Sequence, residues 1–172
     1  MSKYIGRTIV AIAVAVLLMT VWRDHASAKA DWDHEIRMLQ SRRDAAVKAK
    51  DVDAIMANYM NSGKLVVFDL IPPRQYTGWN SYKKNWQDFL AQCKDAPTWD
   101  TTDLHTMGGA GYGFSHSIVH MACTDQKGVK MDMVLRVTDC YANFGGKWLI
   151  AHEHISVPVD PATGKADLQS KP

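Results

Sequence analysis

The closing segment Gly145–Pro158, GGKWLIAHEHISVP, constrains this chain more than any other. It opens with a Gly-Gly turn, runs on as an apolar strand, and sets His152, Glu153 and His154 in a row at its middle. Inside a central strand, three ionisable groups are costly unless they are paired or face a cavity. The strand therefore either carries a site or divides two environments, and the remaining chain is expected to wrap around it. Side chains alternate along a strand, so the two histidines share one face and Glu153 takes the other.

The N-terminus reads as a targeting peptide, residues 1–30. Lys3 and Arg7 precede an apolar run, Ile9 to Trp22, and small residues at Ala28 and Ala30 form a cleavage pattern before Asp31. That run is about 14 residues, short of the roughly 18–20 that span a bilayer. The expectation is export to the periplasm or medium, with no membrane attachment after cleavage. Of the 20 basic and 18 acidic residues, four basic and one acidic lie in this segment, so the mature part carries a net charge of −1. No Lys/Arg cluster remains to track a phosphate backbone, which argues against a nucleic-acid partner. Cys93, Cys123 and Cys140 allow one disulfide with a thiol left over, or three free thiols.

From Asp31 to Lys50, Trp32, Ile36, Leu39, Arg43, Ala46 and Val47 recur at helical spacing. Asp51 suits the N-cap of a second helix reaching Met60, and Lys64–Leu70 reads as a strand stopped by Pro72-Pro73. Asn80 is placed to cap a third helix with Tyr82, Trp86, Phe89 and Cys93 on one stripe. Four strands are expected after Thr98: Trp99–Met107, Gly111–Cys123, Val129–Tyr141 and Lys147–Val157. The fold class is α+β, a curved antiparallel sheet wrapped around three N-terminal helices to leave a cone-shaped pocket. One domain occupies residues 31–159, and 160–172 form a loosely held tail.

This order of elements, with the closing GGKWLIAHEHIS, resembles the nuclear-transport-factor-2-like superfamily, and more narrowly its SnoaL-like and ketosteroid-isomerase-like bacterial members. The association domain of calmodulin-dependent kinase is similar in its closing strand. Within DVDAIMANYMNSGKLVVFDLIPP the resemblance puts a general-base aspartate at Asp69, and a second family carboxyl near Thr138 or Asp139. Ketosteroid isomerase is itself an example of two carboxyls whose pKa values are set apart by their environments. The family's catalytic tyrosine is missing from the first helix, which argues against steroid isomerisation. The resemblance also implies dimer contacts through the outer sheet face, hence a homodimer.

Two readings of Asp69 stand side by side: a base in an apolar pocket, or a carboxylate capping the loop that follows. Arg136 meets Glu153 if the last hairpin has a four-residue loop, Asn143 to Gly146, and joins His152 and His154 if there is an odd loop or a bulge. A small-molecule site in the cone would use Asp69 as base, with His154 or Arg136 stabilising an oxyanion. Tyr59, Tyr76 and Trp86 would shape the cavity, with His116, Asp139, His152 and Glu153 near the ligand. The reaction would be cofactor-free proton transfer of isomerase, cyclase or dehydratase type. No metal is expected at His116, His120, His152 and His154. The alternative is a non-catalytic binding or dimeric assembly module.

Overall fold

The computed structural model describes residues 32–109 and 111–170; the targeting peptide expected at residues 1–30 lies outside them. Helix α1 covers 32–48. Its stripe of Trp32, Ile36, Leu39, Arg43, Ala46 and Val47 is buried throughout, the arginine included. Helix α2, Val52–Met56, begins where expected: Asp51 accepts from the Ala54 amide at 2.9 Å. It stops short of Met60 because its end is taken over by other partners. Asn58 Nδ2 donates to the Ala54 and Ile55 carbonyls, at 2.8 and 3.1 Å. The backbone then exchanges bonds with the last strand, Met60 N to Ile150 O at 2.8 Å and Ile150 N to Asn58 O at 2.9 Å.

Strands β1, Val66–Phe68, and β2, Tyr76–Thr77, are short. Helix α3 is Trp79–Gln92, and its N-cap is Gly78 rather than Asn80. Gly78 has φ +86°, a conformation in which a side chain is strained. The long strands are β3, Thr98–Gly109; β4, Tyr112–Thr124; β5, Lys130–Phe144; and β6, Lys147–Ser156. The sheet order is β2-β1-β6-β5-β4-β3, so β6 lies inside the sheet between parallel β1 and antiparallel β5. Among the described residues, no helix is long and apolar enough to cross a membrane.

The β5–β6 turn is tighter than the expected four-residue loop. Phe144 pairs with Lys147, and Gly145 and Gly146 both take positive φ, as a two-residue hairpin of this type requires. Further along, a bulge shifts the register: Tyr141 pairs with Ile150 but Cys140 with His152, leaving Ala151 extra. Beyond it Asp139 faces Glu153, Thr138 faces His154 and Arg136 faces Ser156. Arg136 thus shares a face with His152 and His154, the bulged alternative.

The helix-covered face of β5 presents Leu135, Val137, Asp139 and Tyr141, all buried. Past the end of β6 the tail folds back instead of hanging loose. Val134 N donates to Leu168 O at 2.8 Å and Gln169 Nε2 to Asp132 O at 2.7 Å, occupying the edge β6 has vacated. Cys93, just after α3, forms a disulfide with Cys123 of β4, and Cys140 is free. Closing a loop with a sequence separation of 30 constrains the unfolded chain. Replacing both cysteines by serine should cost about 3 kcal/mol in urea unfolding. Dithiothreitol should then have no further effect on the double variant.

Candidate functional site

Two distinct sites lie between the helices and the sheet. The first is an apolar cavity of about 130 Å³ enclosed by α3 and the inner sheet face. Tyr82, Trp86 and Phe89 of α3 meet Trp99 of β3, Met121 of β4, Met131, Met133 and Leu135 of β5, and Ile155 of β6. The helical spacing of the α3 residues puts them on one stripe, and strand alternation brings the others to the same side. Edge-to-face contacts fix the aromatic walls, with Trp86 6.1 Å from Tyr82, 6.0 Å from Phe89 and 5.5 Å from Trp99, ring centre to ring centre.

Asp69 stands at the cavity rim, directly after β1. Its Oδ1 accepts from the Leu70 amide at 2.6 Å and its Oδ2 from Asn85 Nδ2 at 2.8 Å. Burial pushes its carboxyl above the usual range, and the bonds from Leu70 and Asn85 oppose that rise. Both readings of Asp69 therefore have a structural footing, since it caps the next residue and also lines the cavity.

The second site is a sealed polar cluster around Arg43. Its Nη1 donates to Asp139 Oδ2 at 3.1 Å and Glu153 Oε2 at 2.5 Å, and its Nη2 donates to Gln40 Oε1 at 2.6 Å. Gln40 Nε2 donates in turn to Asp139 Oδ2 at 2.5 Å and to the Tyr141 hydroxyl. Tyr59 and Tyr82 donate to Glu153 at 2.9 and 2.6 Å. One guanidinium offsets one negative charge, and two carboxyls face it. Burial first, and the neighbouring Asp139 second, raise Glu153 to about 8, with Arg43 opposing. The Asp139–Glu153 pair consequently keeps one proton at neutral pH. For Arg43, burial favours the neutral form, but the acidic groups around it, Asp139 first, outweigh that and raise the pKa.

The structure separates residues that the sequence places together. Of the expected set, Asp69 and Trp86 line the cavity. Tyr59, Asp139 and Glu153 belong to the sealed cluster. Tyr76 lies outside the cavity, its hydroxyl on the Pro72 carbonyl at 3.2 Å and its ring 5.8 Å from Tyr82. His116, Arg136, His152 and His154 sit on the opposite sheet face, in phase with Thr138 and Cys140 and not with Asp139; alternation along β5 puts Arg136 there, pairing with Thr138 puts His116 there, and the bulge brings the two histidines of β6. There His116 stacks on His105, His152 Nδ1 meets the Val66 carbonyl at 2.8 Å, and Phe68 lies edge-on to both His152 and His154. His154 does border a shallow outer groove with Asp69, beside Leu168 of the tail. It does not reach the cavity, so neither His154 nor Arg136 is placed to assist Asp69 there. Among the described residues, no three His, Cys, Asp or Glu side chains converge as a metal site.

Residues missed in the sequence include Gln40 and Arg43 of the cluster, and Asn85 and Trp99 of the cavity. Arg43 had a signal, an arginine on an otherwise apolar helical stripe. The others had none, since their roles depend on contacts far along the chain.

The fold and cavity define a cone-shaped α+β protein with a small apolar pocket under its helices. Residues 36–160 match the SnoaL-like domain, and the chain belongs to that family. It is similar to an NTF2-like protein of unknown function from Pseudomonas putida KT2440, with 28% identity, 81% of this chain and 95% of that chain covered, and a TM-score of 0.73. A candidate dehydratase of the NTF2-like family from Streptomyces avermitilis shares the fold at 11% identity, covering 75% and 97% with a TM-score of 0.64. So does a candidate scytalone dehydratase from Novosphingobium aromaticivorans DSM 12444, at 13% identity, 76% and 86% coverage and a TM-score of 0.65. None of the curated proteins matches the chain.

Glu153 leads to a pH prediction. Its folded value of about 8 exceeds the roughly 4.3 of an unfolded glutamate, so the folded state binds the extra proton between them. Its stabilisation is complete below about pH 4 and is lost as pH rises through about 8. The urea midpoint should fall from pH 6 to pH 9, and this fall should be flattened in Glu153→Gln. Arg43→Met leaves both buried carboxyls without their cation and should cost about 3–5 kcal/mol by the same assay.

Proposed function

We propose that this SnoaL-like domain binds a small, partly apolar carbonyl compound in its cavity and acts on it by cofactor-free proton transfer, with Asp69 as general base. The observation that carries this is a carboxyl, its pKa raised by burial, on the rim of an apolar cavity. Such a group is a stronger base than an exposed aspartate once ionised, and it can take a proton from the carbon beside a carbonyl. Its bonds from Leu70 and Asn85 hold it in place. The fold shared with candidate dehydratases supports an isomerase or lyase type of reaction. A cavity of about 130 Å³ suits a ligand of one ring, since about 150 Å³ accommodates benzene. Four-ring substrates do not fit within it.

The protein acts outside the cytoplasm in this reading. The N-terminal leader supports export, and the Cys93–Cys123 disulfide suits an oxidising compartment. A homodimer through the open sheet face is the favoured assembly, supported by Met107, Tyr112 and Phe114, which are exposed there. That apolar face also favours a second reading, a dimeric binding module without catalysis.

Proton exchange separates the two. The full-length protein, incubated in deuterated water with small cyclic ketones, should speed loss of the proton beside the carbonyl as followed by NMR. Asp69→Asn keeps the acceptor for the Leu70 amide and should slow the exchange by about 100-fold or more. Ketone binding with no exchange in the wild-type protein would favour the binding module.

A further inference from the structure

Asp69 is a half-buried carboxyl whose charge the protein leaves unanswered. Its two oxygens accept from neutral donors, the Leu70 amide and Asn85 Nδ2. Among the described residues it enters no ion pair, not even with His154, which borders the outer groove beside it. The cluster beneath Tyr82 has no cation to spare, since Arg43 is matched there by the one negative charge of the Asp139–Glu153 pair. A carboxylate taken out of water without a counter-charge is costly. Burial accordingly raises the pKa of Asp69, and its neutral donors offset only part of that rise.

The rest of the lining decides which ligand suits that carboxyl. It contains no lysine, arginine or histidine, so an anionic ligand would meet Asp69 with no cation to hold it. Asn85 and Gln92 carry amides, which donate and accept alike and do not distinguish ligands by charge. The Tyr82 hydroxyl is bound to Glu153, and the indole nitrogens of Trp86 and Trp99 are closed off. Asp69 is thus the one lining group that favours a sign of charge, and it favours a cation. A carboxylate accepts up to about four hydrogen bonds, more than its present donors fill, and an ammonium only donates. Asp69 also borders the outer groove, so a cation on it keeps water on one side and loses less hydration than in a sealed site.

We propose that the cavity is a binding site for a small protonated amine, its ammonium seated on Asp69 at the rim and its apolar body, of about one ring, against Trp86, Phe89 and the methionines. The pairing supplies the counter-charge that Asp69 lacks, and the body fills the apolar wall. This goes beyond the proton-transfer reading and shares with it only the cavity as the ligand site. An amine on Asp69 occupies the base, so it would compete with a carbonyl compound there.

The test titrates the full-length protein at pH 7 with cyclohexylamine, cyclohexanol and cyclohexanecarboxylate, one ring with a cationic, a neutral or an anionic head, and with cyclohexanone. Binding is followed by calorimetry, and ¹³C-methyl labelling of methionine locates the ligand through the resonances of Met121, Met131 and Met133. The amine should bind at least about tenfold more tightly than the alcohol, the lower range for a hydrogen bond to a charged group. The carboxylate should bind more weakly than the alcohol. In Asp69→Asn the advantage of the amine should disappear. The wild-type ranking decides even if that variant is unstable. An amine no tighter than the alcohol, or one whose advantage survives in Asp69→Asn, would overturn the amine assignment. Cyclohexanone binding without any gain for the amine would overturn it too and leave the proton-transfer reading standing. Binding of none of the four would overturn both.

Discussion

Arg43 is the constraint on which the interior depends. A guanidinium with no exposure to solvent must be answered by charge, and the Asp139–Glu153 carboxyl pair supplies one negative charge from adjacent strands. Helix α1 is therefore docked to the sheet by a directional contact in addition to its apolar stripe. Tyr59 from the segment after α2 and Tyr82 from α3 converge on the same Glu153. The cluster thus ties three segments of the helical layer to β6. A hydrophobic stripe alone would permit α1 to slide or rotate, whereas hydrogen bonds from Arg43 and Gln40 to carboxyls on two strands fix its register.

That cluster exists because of the bulge in the last hairpin. Counted from the tight Gly145-Gly146 turn without the extra residue Ala151, the pairing would put Glu153 opposite Thr138. With it, Glu153 faces Asp139 and points to the helices, and both histidines of the closing strand turn outward to the face that Arg136 occupies. One extra residue therefore allots three ionisable side chains, His152, Glu153 and His154, to their two environments. The histidines that are most conspicuous in the sequence end up on the outer face, and the glutamate between them becomes the buried one.

The cavity and the cluster share Tyr82, whose ring lines one while its hydroxyl serves the other. This division keeps charge away from the ligand space. The ionised groups are satisfied by one another beneath the wall, and the lining is left with aromatic rings, methionines, aliphatic side chains, a single carboxyl and the amides of Asn85 and Gln92. Electrostatic effects are strong in such a place, so a few polar groups can determine which ligand is held and where charge develops.

Much of the architecture could be read along the chain. The stripe of α1, the Asp51 cap and the four long strands all follow from local periodicity and turn chemistry, which act over a few residues. The position of Asp69 after its strand was equally legible, as was the alternation that sets Glu153 apart from its histidine neighbours. What the sequence by itself determined was thus the order of elements and the phase of each strand. Tertiary structure alone decided which face of β6 looks inward, that Arg43 would find Asp139 and Glu153, and that Trp99 would close the cavity with Trp86. Those outcomes depend on pairing between strands and on contacts about a hundred residues apart, Arg43 to Glu153 among them, and a shift of one residue in register reverses them.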